Sequence, residues 1–385
     1  MKICLINHSF PPQIGGGETH IFLLARGFVA RGHEVTVVTS GDESSSSRDE
    51  INGFFIIRIK KFGDFEKGLI SFRHVLEEFR KAFLNRDFDV VHVHNFLPGL
   101  AYASISALVK TKKVVFTFHS TPIPDEGKII GHFTDYDIEK VFASFIIKLP
   151  FYDKLVCPSQ YYYDWALKLG ADKNKLDLVY HGVNEEDFSI KKDLLWRSRY
   201  GYDNDDFIIV CPARMIHRKG IIDLIKAIKI IQDKRIKLLI PTSVQNGSVE
   251  YLDQVNSFIN ENNLVDRVNI IVDKENIKTM PQVFANCNIC VLPSHIEGLG
   301  ITLLEAMAAG IPVIGSDTYG INEVIRNGIN GLLSKVKDPI DLANKILRIK
   351  KDSELARILT NGGKLTIRSE FSLVRQLREL ESIYK

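Results

Sequence analysis

Cysteine, tryptophan and methionine are scarce in this 385-residue sequence, which contains five, two and four of them respectively. The five cysteines are Cys4, Cys157, Cys211, Cys287 and Cys290, and most lie inside apolar runs. An odd number in such runs is typical of buried free thiols in a reducing compartment and argues against a disulfide framework. Cys287 and Cys290 form a C-x-x-C, but no second pair completes a zinc site, so core packing is the favoured interpretation.

The sequence also lacks long apolar runs and an excess of either charge. No run approaches the roughly 20 residues that span a bilayer, and the first residues become polar too early for a signal peptide. Lysine and arginine number 50 against 47 aspartates and glutamates, a net charge of +3, without the concentrated basic stripe of a nucleic-acid binder. We therefore expect a cytoplasmic globular protein that does not bind nucleic acid.

Short β-branched runs recur along the chain, with helical patterns between them. Most are continuously apolar, as in strands that are covered on both faces of a parallel sheet. They lie at 2–7, 34–39, 54–59, 89–94, 113–119, 154–158, 176–180, 207–211, 237–240, 267–272, 288–292 and 312–315. Strand–helix alternation over this length predicts two α/β domains, each a Rossmann-like, doubly wound parallel sheet.

A charged stretch near residues 182–206 separates two series of predicted strands. We predict a first domain at 1–190 and a second at 191–369. A last helix at about 370–385, set off by a break at the glycine pair 362–363, is expected to pack back on the first domain. Ligands bind beyond the carboxyl ends of the strands in such sheets. Two sheets that face one another would therefore line a central cleft with the loops that follow their strands.

A glycine cluster, Gly15-Gly16-Gly17, follows the first predicted strand, and a helix is predicted to begin at about Glu18. Glycines ahead of a helix N-terminus let amide N–H groups approach an anion, although a flexible turn explains them equally well. The pattern is neither the nicotinamide fingerprint nor a Walker lysine sequence.

The most informative segment carries two glutamates. Glu297 lies in a glycine-punctuated loop after a predicted strand, and Glu305 lies about one turn into the helix that follows. A carboxylate accepts two hydroxyl hydrogen bonds, as the vicinal diol of a ribose or a hexose offers. Taken alone, the pair would be explained as solvated helix charges.

The whole pattern resembles the E-x7-E motif of glycosyltransferase family four, whose members have the GT-B fold. The resemblance covers nearly the full chain and includes further segments in order: Gly15–Glu18, Arg31–Val35, His181–Asn184 and Pro312–Asp317. It implies a retaining enzyme that moves a hexose-type sugar from a nucleotide diphosphate sugar to a glycan, lipid-linked or small-molecule acceptor.

The resemblance also implies a role for each matching position. Glu305 would hold the ribose hydroxyls, and Glu297 would contact the transferred sugar. Arg214 and Lys219 would stabilise the departing nucleoside diphosphate, as two fixed cations can in a water-poor cleft; Ala213 stands where the family has glycine. The other donor-binding candidates are Gly16, Gly17, Asp273, Lys274, Gly298, Leu299, Gly300 and Ile301.

Two histidines follow predicted strands of the first domain. The position of His119 contacts the sugar and the donor phosphate in the family, which implies a catalytic role here. His94, within Val-His-Val-His-Asn, is an acceptor-side candidate, although the same residues would also serve to shape the loop.

The D-x-D sequences at 87–89 and 135–137 are not interpreted as metal sites, because Arg214 and Lys219 can neutralise the diphosphate. Neither a metal nor another cofactor is expected. In the helical pattern over 69–86, an apolar stripe is explained by packing on the sheet. The basic residues around it leave open a peripheral contact with anionic lipid at the inner face of the membrane, which would suit a lipid-linked acceptor.

Two other interpretations stay open. One is a different GT-B enzyme: an epimerase, which uses a nucleotide sugar without an acceptor, or a phosphorylase, which typically needs pyridoxal phosphate and for which no lysine here is marked. The other is a non-enzymatic, degenerate nucleotide-sugar-binding subunit, which the filled charged positions disfavour. The sequence does not name the sugar, base, acceptor, linkage or oligomeric state.

Overall fold

The computed structural model describes residues 1–11, 16–41, 47–59, 69–83, 86–119, 129–130, 133–242, 249–272 and 280–385. The chain forms two compact units. The first unit comprises Met1–His181 and Leu373–Lys385, and the second unit comprises Gly182–Ser372.

Strands and helices alternate through both units. In the described residues the strands are β1 (Lys2–Ile6), β2 (Glu34–Ser40), β3 (Ser47–Ile51), β4 (Phe54–Ile59), β5 (Asp87–His94), β6 (Lys110–Thr117), β7 (Ile129–Ile130), β8 (Phe133–Thr134), β9 (Lys154–Cys157), β10 (Leu176–Leu178), β11 (Phe207–Val210), β12 (Ile236–Thr242), β13 (Val268–Val272), β14 (Ile289–Leu292), β15 (Val313–Ser316) and β16 (Leu332–Ser334). The helices there are α1 (Gly16–Ala30), α2 (Leu69–Phe83), α3 (Phe96–Ile105), α4 (Asp135–Lys148), α5 (Gln160–Lys168), α6 (Leu194–Arg199), α7 (Ile221–Ile230), α8 (Val249–Glu261), α9 (Met280–Asn286), α10 (Ile301–Ala308), α11 (Ile321–Val324), α12 (Pro339–Lys351), α13 (Ser353–Glu370) and α14 (Leu373–Tyr384). Among the described residues, no helix combines the length and apolar character that a membrane crossing requires.

The first unit is built on a sheet whose strand order is β10-β9-β6-β5-β1-β2-β4-β3. All neighbours are parallel except β3 and β4, which are antiparallel. Side chains alternate across β1, so that Ile3 and Leu5 join one buried cluster and Cys4 and Ile6 join another on the opposite face. The central strands carry apolar side chains on both faces, as is expected of a parallel sheet that is covered on both faces.

The second unit is built on a fully parallel sheet with the order β13-β12-β11-β14-β15-β16. Counted along the chain within this sheet, the order is third, second, first, fourth, fifth and sixth, which is that of a doubly wound Rossmann fold. The order reverses between β11 and β14, as it does between β1 and β5 in the first unit. The predicted fold class, two doubly wound parallel-sheet α/β domains, is confirmed.

The boundary between the units lies at residue 181, whereas the sequence suggests residue 190. The segment after His181 packs within the second unit: the amide of Val183 donates to the carbonyl of Phe371 at 2.8 Å, and Glu185 pairs with Arg368 at 2.6 Å. The edge strands β3 and β16 and the short pair β7–β8 were not predicted from the sequence.

The break predicted at Gly362 and Gly363 is wrong, because both lie inside α13, which ends at Glu370. A Cβ on Gly362 would lie 2.1 Å from the carbonyl oxygen of Ile329, and one on Gly363 would lie 3.0 Å from the side chain of Met307. These glycines therefore allow a close approach of the helix to its neighbours and do not terminate it. The helix ends instead before α14, which belongs to the first unit.

Gly362→Ala is expected to destabilise the second unit by about 1–3 kcal/mol, the usual cost of overpacking. Alanine has a higher helix propensity than glycine, by about 1 kcal/mol. A loss of stability would therefore show that the clash with the Ile329 carbonyl outweighs the gain in helix propensity. Urea unfolding measures the change. Gly17→Ala in α1, where no atom of the described residues lies within 4 Å of the added Cβ, is the control and should not lose stability. An equal response of the two variants would contradict the close approach.

Candidate functional site

The predicted cation and carboxylate of the second unit follow adjacent strands. Lys219 lies in the loop after β11, and Glu297 lies in the loop after β14. These strands are neighbours at the point where the strand order reverses. A crevice forms there at the carboxyl ends of the strands in doubly wound sheets, and ligands bind in it.

Lys219 and Glu297 form a close ion pair, with 2.5 Å between Nζ and Oε2. Their side chains are only 13% and 14% exposed, and Ser294 Oγ donates to the same carboxylate oxygen at 3.1 Å. Burial opposes ionisation of Glu297, but the charges of Lys219 and Arg218 and the two hydrogen bonds hold its pKa below the ordinary value. The carboxylate is therefore charged and partnered at neutral pH.

Burial lowers the pKa of Lys219, and the attraction of Glu297 opposes that effect. Arg218 and Arg214 lower this pKa further through charge repulsion. Arg214 itself is exposed. Three positive side chains thus act on one another around a single negative one, which leaves the loop after β11 with excess positive charge.

Tight backbone packing holds the two loops together. Gly220 has a φ of 65°, and a Cβ there would lie 2.1 Å from the carbonyl oxygen of Pro293. The amide of His295 donates to the carbonyl of Arg218 at 2.7 Å, and its ring Nε2 lies 2.7 Å from Asp223 Oδ2. Only glycine fits at position 220, and the geometry of the ion pair depends on it.

Glu305 lies on α10, which begins at Ile301. Gly300 caps the helix with a φ of 74°, and no side chain caps its N-terminus. Such an N-terminus favours an anion or an oxygen acceptor. Glu305 is half-buried, and burial raises its pKa to about 7. The donor-binding candidates Gly298, Leu299, Gly300 and Ile301 lie between Glu297 and Glu305, and their contacts with a donor stay a prediction.

Glu305→Gln is expected to stabilise the second unit at about pH 8 and to leave it unchanged at about pH 4. The folded carboxyl has a pKa of about 7, above the unfolded value of about 4.3. Its stabilising contribution is therefore present below about pH 4 and lost as the pH rises through 7. Urea unfolding followed by Trp196 should show a gain of about 2 kcal/mol at high pH, after allowance for partial exposure. A pH-independent difference would contradict the raised pKa.

The first unit brings His94 and His119 together at the ends of β5 and β6. His94 Nδ1 lies 2.9 Å from His119 Nε2, and the rings stack with centroids 5.1 Å apart. Burial lowers the pKa of His119 to about 4 and that of His94 well below its ordinary value. Both rings are therefore neutral at pH 7. Among the described residues, no partner bonds the other ring nitrogens, His119 Nδ1 and His94 Nε2.

Sequence reasoning missed that these two rings belong to a larger buried cluster with His20, His92 and His181. His20 stacks on His181 with centroids 3.8 Å apart, and His92 lies between Thr117 Oγ1 and the hydroxyl of Tyr384. Burial lowers the pKa of each of these rings, that of His92 to about 3. Apart from His92 and His94, which are two positions apart, the five rings come from distant segments, so no sequence pattern could have grouped all of them.

The remaining candidates divide between the two units. Gly16 and Gly17 lie in the first turn of α1, after β1, so the helix begins two residues before the predicted Glu18. Asp273 and Lys274 lie outside the described residues. In the described part of the chain, no group of three or more histidine, cysteine, aspartate or glutamate side chains could hold a metal ion.

Two family models match the chain. The model described as Glycosyltransferase Family 4 matches residues 14–187, and that described as Glycosyl transferases group 1 matches residues 193–366. The chain is 27% identical over 402 residues to an uncharacterized glycosyltransferase of Methanocaldococcus jannaschii, covering 100% of this chain and 98% of that one. It is 23% identical to N-acetyl-alpha-D-glucosaminyl L-malate synthase of Bacillus anthracis, covering 97% and 94%.

A third relative, UDP-Gal:alpha-D-GlcNAc-diphosphoundecaprenol alpha-1,3-galactosyltransferase of Escherichia coli, is 24% identical over 90% of this chain and 86% of its own. Among solved structures, sucrose-phosphate synthase of Thermosynechococcus elongatus superposes with a TM-score of 0.85 at 22% identity, covering 100% and 98%. HepE of Anabaena, solved with UDP and glucose, superposes with a TM-score of 0.80 at 18% identity, covering 100% and 99%. At these identities the superpositions establish the shared fold.

Proposed function

This chain belongs to the family 4 type of glycosyltransferases, with the GT-B fold, and from that premise we propose that it is a retaining enzyme that moves a hexose-type sugar from a nucleotide diphosphate sugar. The acceptor in this proposal is a glycan, a lipid-linked saccharide or a small molecule. That the chain is a transferase acting on nucleotide sugars follows from the family and its relatives. The sugar, the stereochemical outcome and the acceptor class are the proposal.

The observation that carries the donor site is the Lys219–Glu297 ion pair at the strand-order reversal of the second unit. Lys219 is buried, and the charges of one carboxylate and two arginines act on it. A diphosphate is a stronger partner for an ammonium group than a carboxylate that is shared with other cations, so Lys219 can exchange Glu297 for a donor diphosphate. On donor binding Lys219 would pair with the diphosphate, together with Arg214. Glu297, released in part, would then accept hydrogen bonds from hydroxyls of the transferred sugar.

The reaction breaks the bond between the anomeric carbon and the diphosphate oxygen, and negative charge develops on that oxygen. Lys219 and Arg214 stabilise this charge more in the transition state than in the ground state. The acceptor oxygen attacks from the face that the diphosphate leaves, and the departing phosphate oxygen takes the acceptor's proton. Retention by this route requires no enzymic nucleophile on the opposite face.

Glu305 is assigned to the ribose diol in this proposal. A carboxyl whose pKa burial raises to about 7 ionises more readily once two hydroxyls donate to it, because hydrogen bonds to the charged form lower the pKa. Donor binding at about pH 6.5 would therefore release a proton from this residue. Base contacts are proposed for Asp273 and Lys274.

His119 is proposed to contact the donor sugar or phosphate through Nδ1. Its Nε2 is engaged with His94, and the ring is neutral because burial lowers its pKa to about 4. When His94 donates in that bond, His119 carries its proton on Nδ1 and can donate it to a ligand oxygen. His94 then acts through His119, and its predicted contact with the acceptor stays a prediction.

The acceptor side of the proposal draws on the relatives. The name of the Escherichia coli galactosyltransferase specifies an undecaprenol-linked acceptor, as does that of an N-acetylgalactosaminyltransferase of Campylobacter jejuni, 29% identical over 50% of this chain and 50% of its own. We propose a lipid-linked or glycan acceptor at the inner face of the membrane, with metal-independent transfer. If the reaction is metal-independent, sugar transfer should continue in the presence of EDTA.

Isothermal titration against UDP-, GDP- and ADP-sugars tests the donor proposal, together with a nucleotide-release assay in the presence of lipid-linked and free glycan acceptors. One nucleotide class should bind with micromolar affinity and be released on turnover with the anomeric configuration kept. Product with inverted configuration would contradict the retaining mechanism. Interconversion of the donor without an acceptor would instead favour an epimerase, and binding without turnover would favour a non-enzymatic subunit.

A further inference from the structure

Asn95, directly after β5, has an unusual backbone conformation, with a φ of 72° and a ψ of 161°. This region of backbone space is essentially restricted to glycine, and other residues keep it only where the surrounding structure imposes it. Such conformations cluster at functional sites. The hydrogen bonds of Asn95 show what imposes it here.

The backbone conformation of Asn95 interrupts the regular hydrogen-bond ladder between β5 and β6. The amide of Asn95 donates to the carbonyl of Thr117 at 2.7 Å, and in a regular parallel ladder the amide of His119 would next donate to the Asn95 carbonyl. That carbonyl instead turns away and accepts from Gly99 in the first turn of α3 at 3.0 Å. The side-chain oxygen of Asn95 takes its place and accepts from the His119 amide at 3.0 Å.

The other half of the same side chain reaches a third strand end. Asn95 Nδ2 donates to Asn7 Oδ1 at 3.1 Å, and Asn7, after β1, is 1% exposed and fixed by its own bond to the Ser9 carbonyl. One amide therefore ties His119 to the point between β1 and β5 where the strand order of the first unit reverses. Tyr162, which donates to the His119 carbonyl at 2.8 Å, fixes the backbone on the other side of this residue.

We propose that Asn95 is a positioning residue for the reaction, which sets the backbone of His119 and thereby aims the ring Nδ1 at the donor. This inference rests on the proposed function. Asparagine suits the task because a single short side chain offers one acceptor and one donor. Aspartate keeps the acceptor for His119 but loses the donor to Asn7. Glycine keeps the backbone conformation but loses both.

The test compares Asn95→Gly and Asn95→Asp with the unsubstituted protein by nucleotide-release kinetics, melting temperature and a long-range ¹H–¹⁵N spectrum of the histidine rings. Glycine relieves the backbone strain, so we expect a melting temperature within about 4 °C of the unsubstituted protein. We expect kcat to fall about 10- to 100-fold, because a small misplacement of a reacting group lowers the rate by about that factor. KM for the donor should change less than kcat. Asn95→Asp should recover part of kcat, and the ring signals of His119 should move in Asn95→Gly.

Asn52→Gly is the matched control. Asn52 is another asparagine with positive φ, 51°, in the exposed turn between β3 and β4, and its replacement should change neither kcat nor the histidine spectrum. Full kcat in Asn95→Gly, or Asn95→Asp as impaired as Asn95→Gly, would overturn the inference. So would a loss of folding in Asn95→Gly, because Asn95 would then serve the fold. An unsubstituted protein without turnover on any donor would instead overturn the proposed function, while the spectrum still reports whether Asn95 sets His119.

Discussion

Lys219→Met is expected to lower kcat/KM for sugar transfer by about 10²- to 10³-fold, the usual cost of removing one group that stabilises developing negative charge. The variant also leaves Glu297 without its cation in a site where the two side chains are only 13% and 14% exposed. A charge deprived of its partner in such surroundings destabilises the fold, here by about 2–4 kcal/mol. Activity and stability should therefore fall together in this single variant.

The double variant Lys219→Met/Glu297→Gln separates these two effects. A neutral amide in place of the carboxylate removes the unpaired charge, so most of the lost stability should return while transfer stays impaired. The free energy of unfolding and steady-state kinetics on the same samples measure both. Lys350→Met, which breaks the ion pair with Asp233 in the same unit, is the matched control and should keep full activity. Recovery of activity in the double variant would show that the lysine serves only to neutralise Glu297.

Mild acid should unfold the first unit before the second. Burial holds the pKa of His92 at about 3 and that of His119 at about 4, and lowers those of His20, His94 and His181. In the unfolded chain these rings titrate near 6.5, so the unfolded state binds more protons as the pH falls below that value. The stability that the neutral rings contribute is therefore present above about pH 6.5, and it is lost as the pH falls toward the pKa values of the rings in the folded state. Each ring that stays neutral costs about 2 kcal/mol at about pH 5, and several together match the stability of a whole domain, about 5–15 kcal/mol.

The two tryptophans allow each unit to be followed separately. Trp165 lies in the first unit and Trp196 in the second, so Trp196→Phe and Trp165→Phe leave one reporter each. The Trp165 signal should change at a higher pH than the Trp196 signal. His20→Gln, which can keep the contact with Gln376, should move the first transition to lower pH. His217→Gln, at an exposed position of the second unit, should not. Coincident transitions of the two reporters would contradict this origin of the acid sensitivity.

The sheets were predictable from local patterns, and the residues of the second-unit site were predicted from the resemblance to the family. Continuous apolar runs mark parallel strands, and loops after neighbouring parallel strands must meet at one sheet edge. Lys219 and Glu297, 78 positions apart, were assigned to one site through the resemblance to the family, and the structure puts them 2.5 Å apart. That they pair with each other could not be predicted, because the pairing depends on the close contact between Gly220 and Pro293.

The histidine cluster and the role of the helical glycines could not be read from the sequence. Contacts such as that between His92 and Tyr384, 292 positions apart, arise only once α14 packs on the sheet. Gly362 and Gly363 resemble a helix terminus because glycine is a poor helix former. Tertiary packing overrides that preference where another backbone passes close by. Strands β3 and β16 were missed because neither has a continuous apolar run: β3 is mostly polar and charged, and β16 has only three residues.

The first unit is discontinuous in the sequence, since α14 returns to it after the whole second unit has intervened. During synthesis, residues 182–372 are all available before α14 leaves the ribosome. Until then Tyr384 cannot reach His92, and Gln376 cannot reach His20. Domains generally fold as units as they emerge, so the second unit should mature first, although its sequence begins later. Until α14 emerges, the apolar face of the first unit that this helix covers would stay exposed to solvent. Chaperone binding or misfolding would occur during that interval.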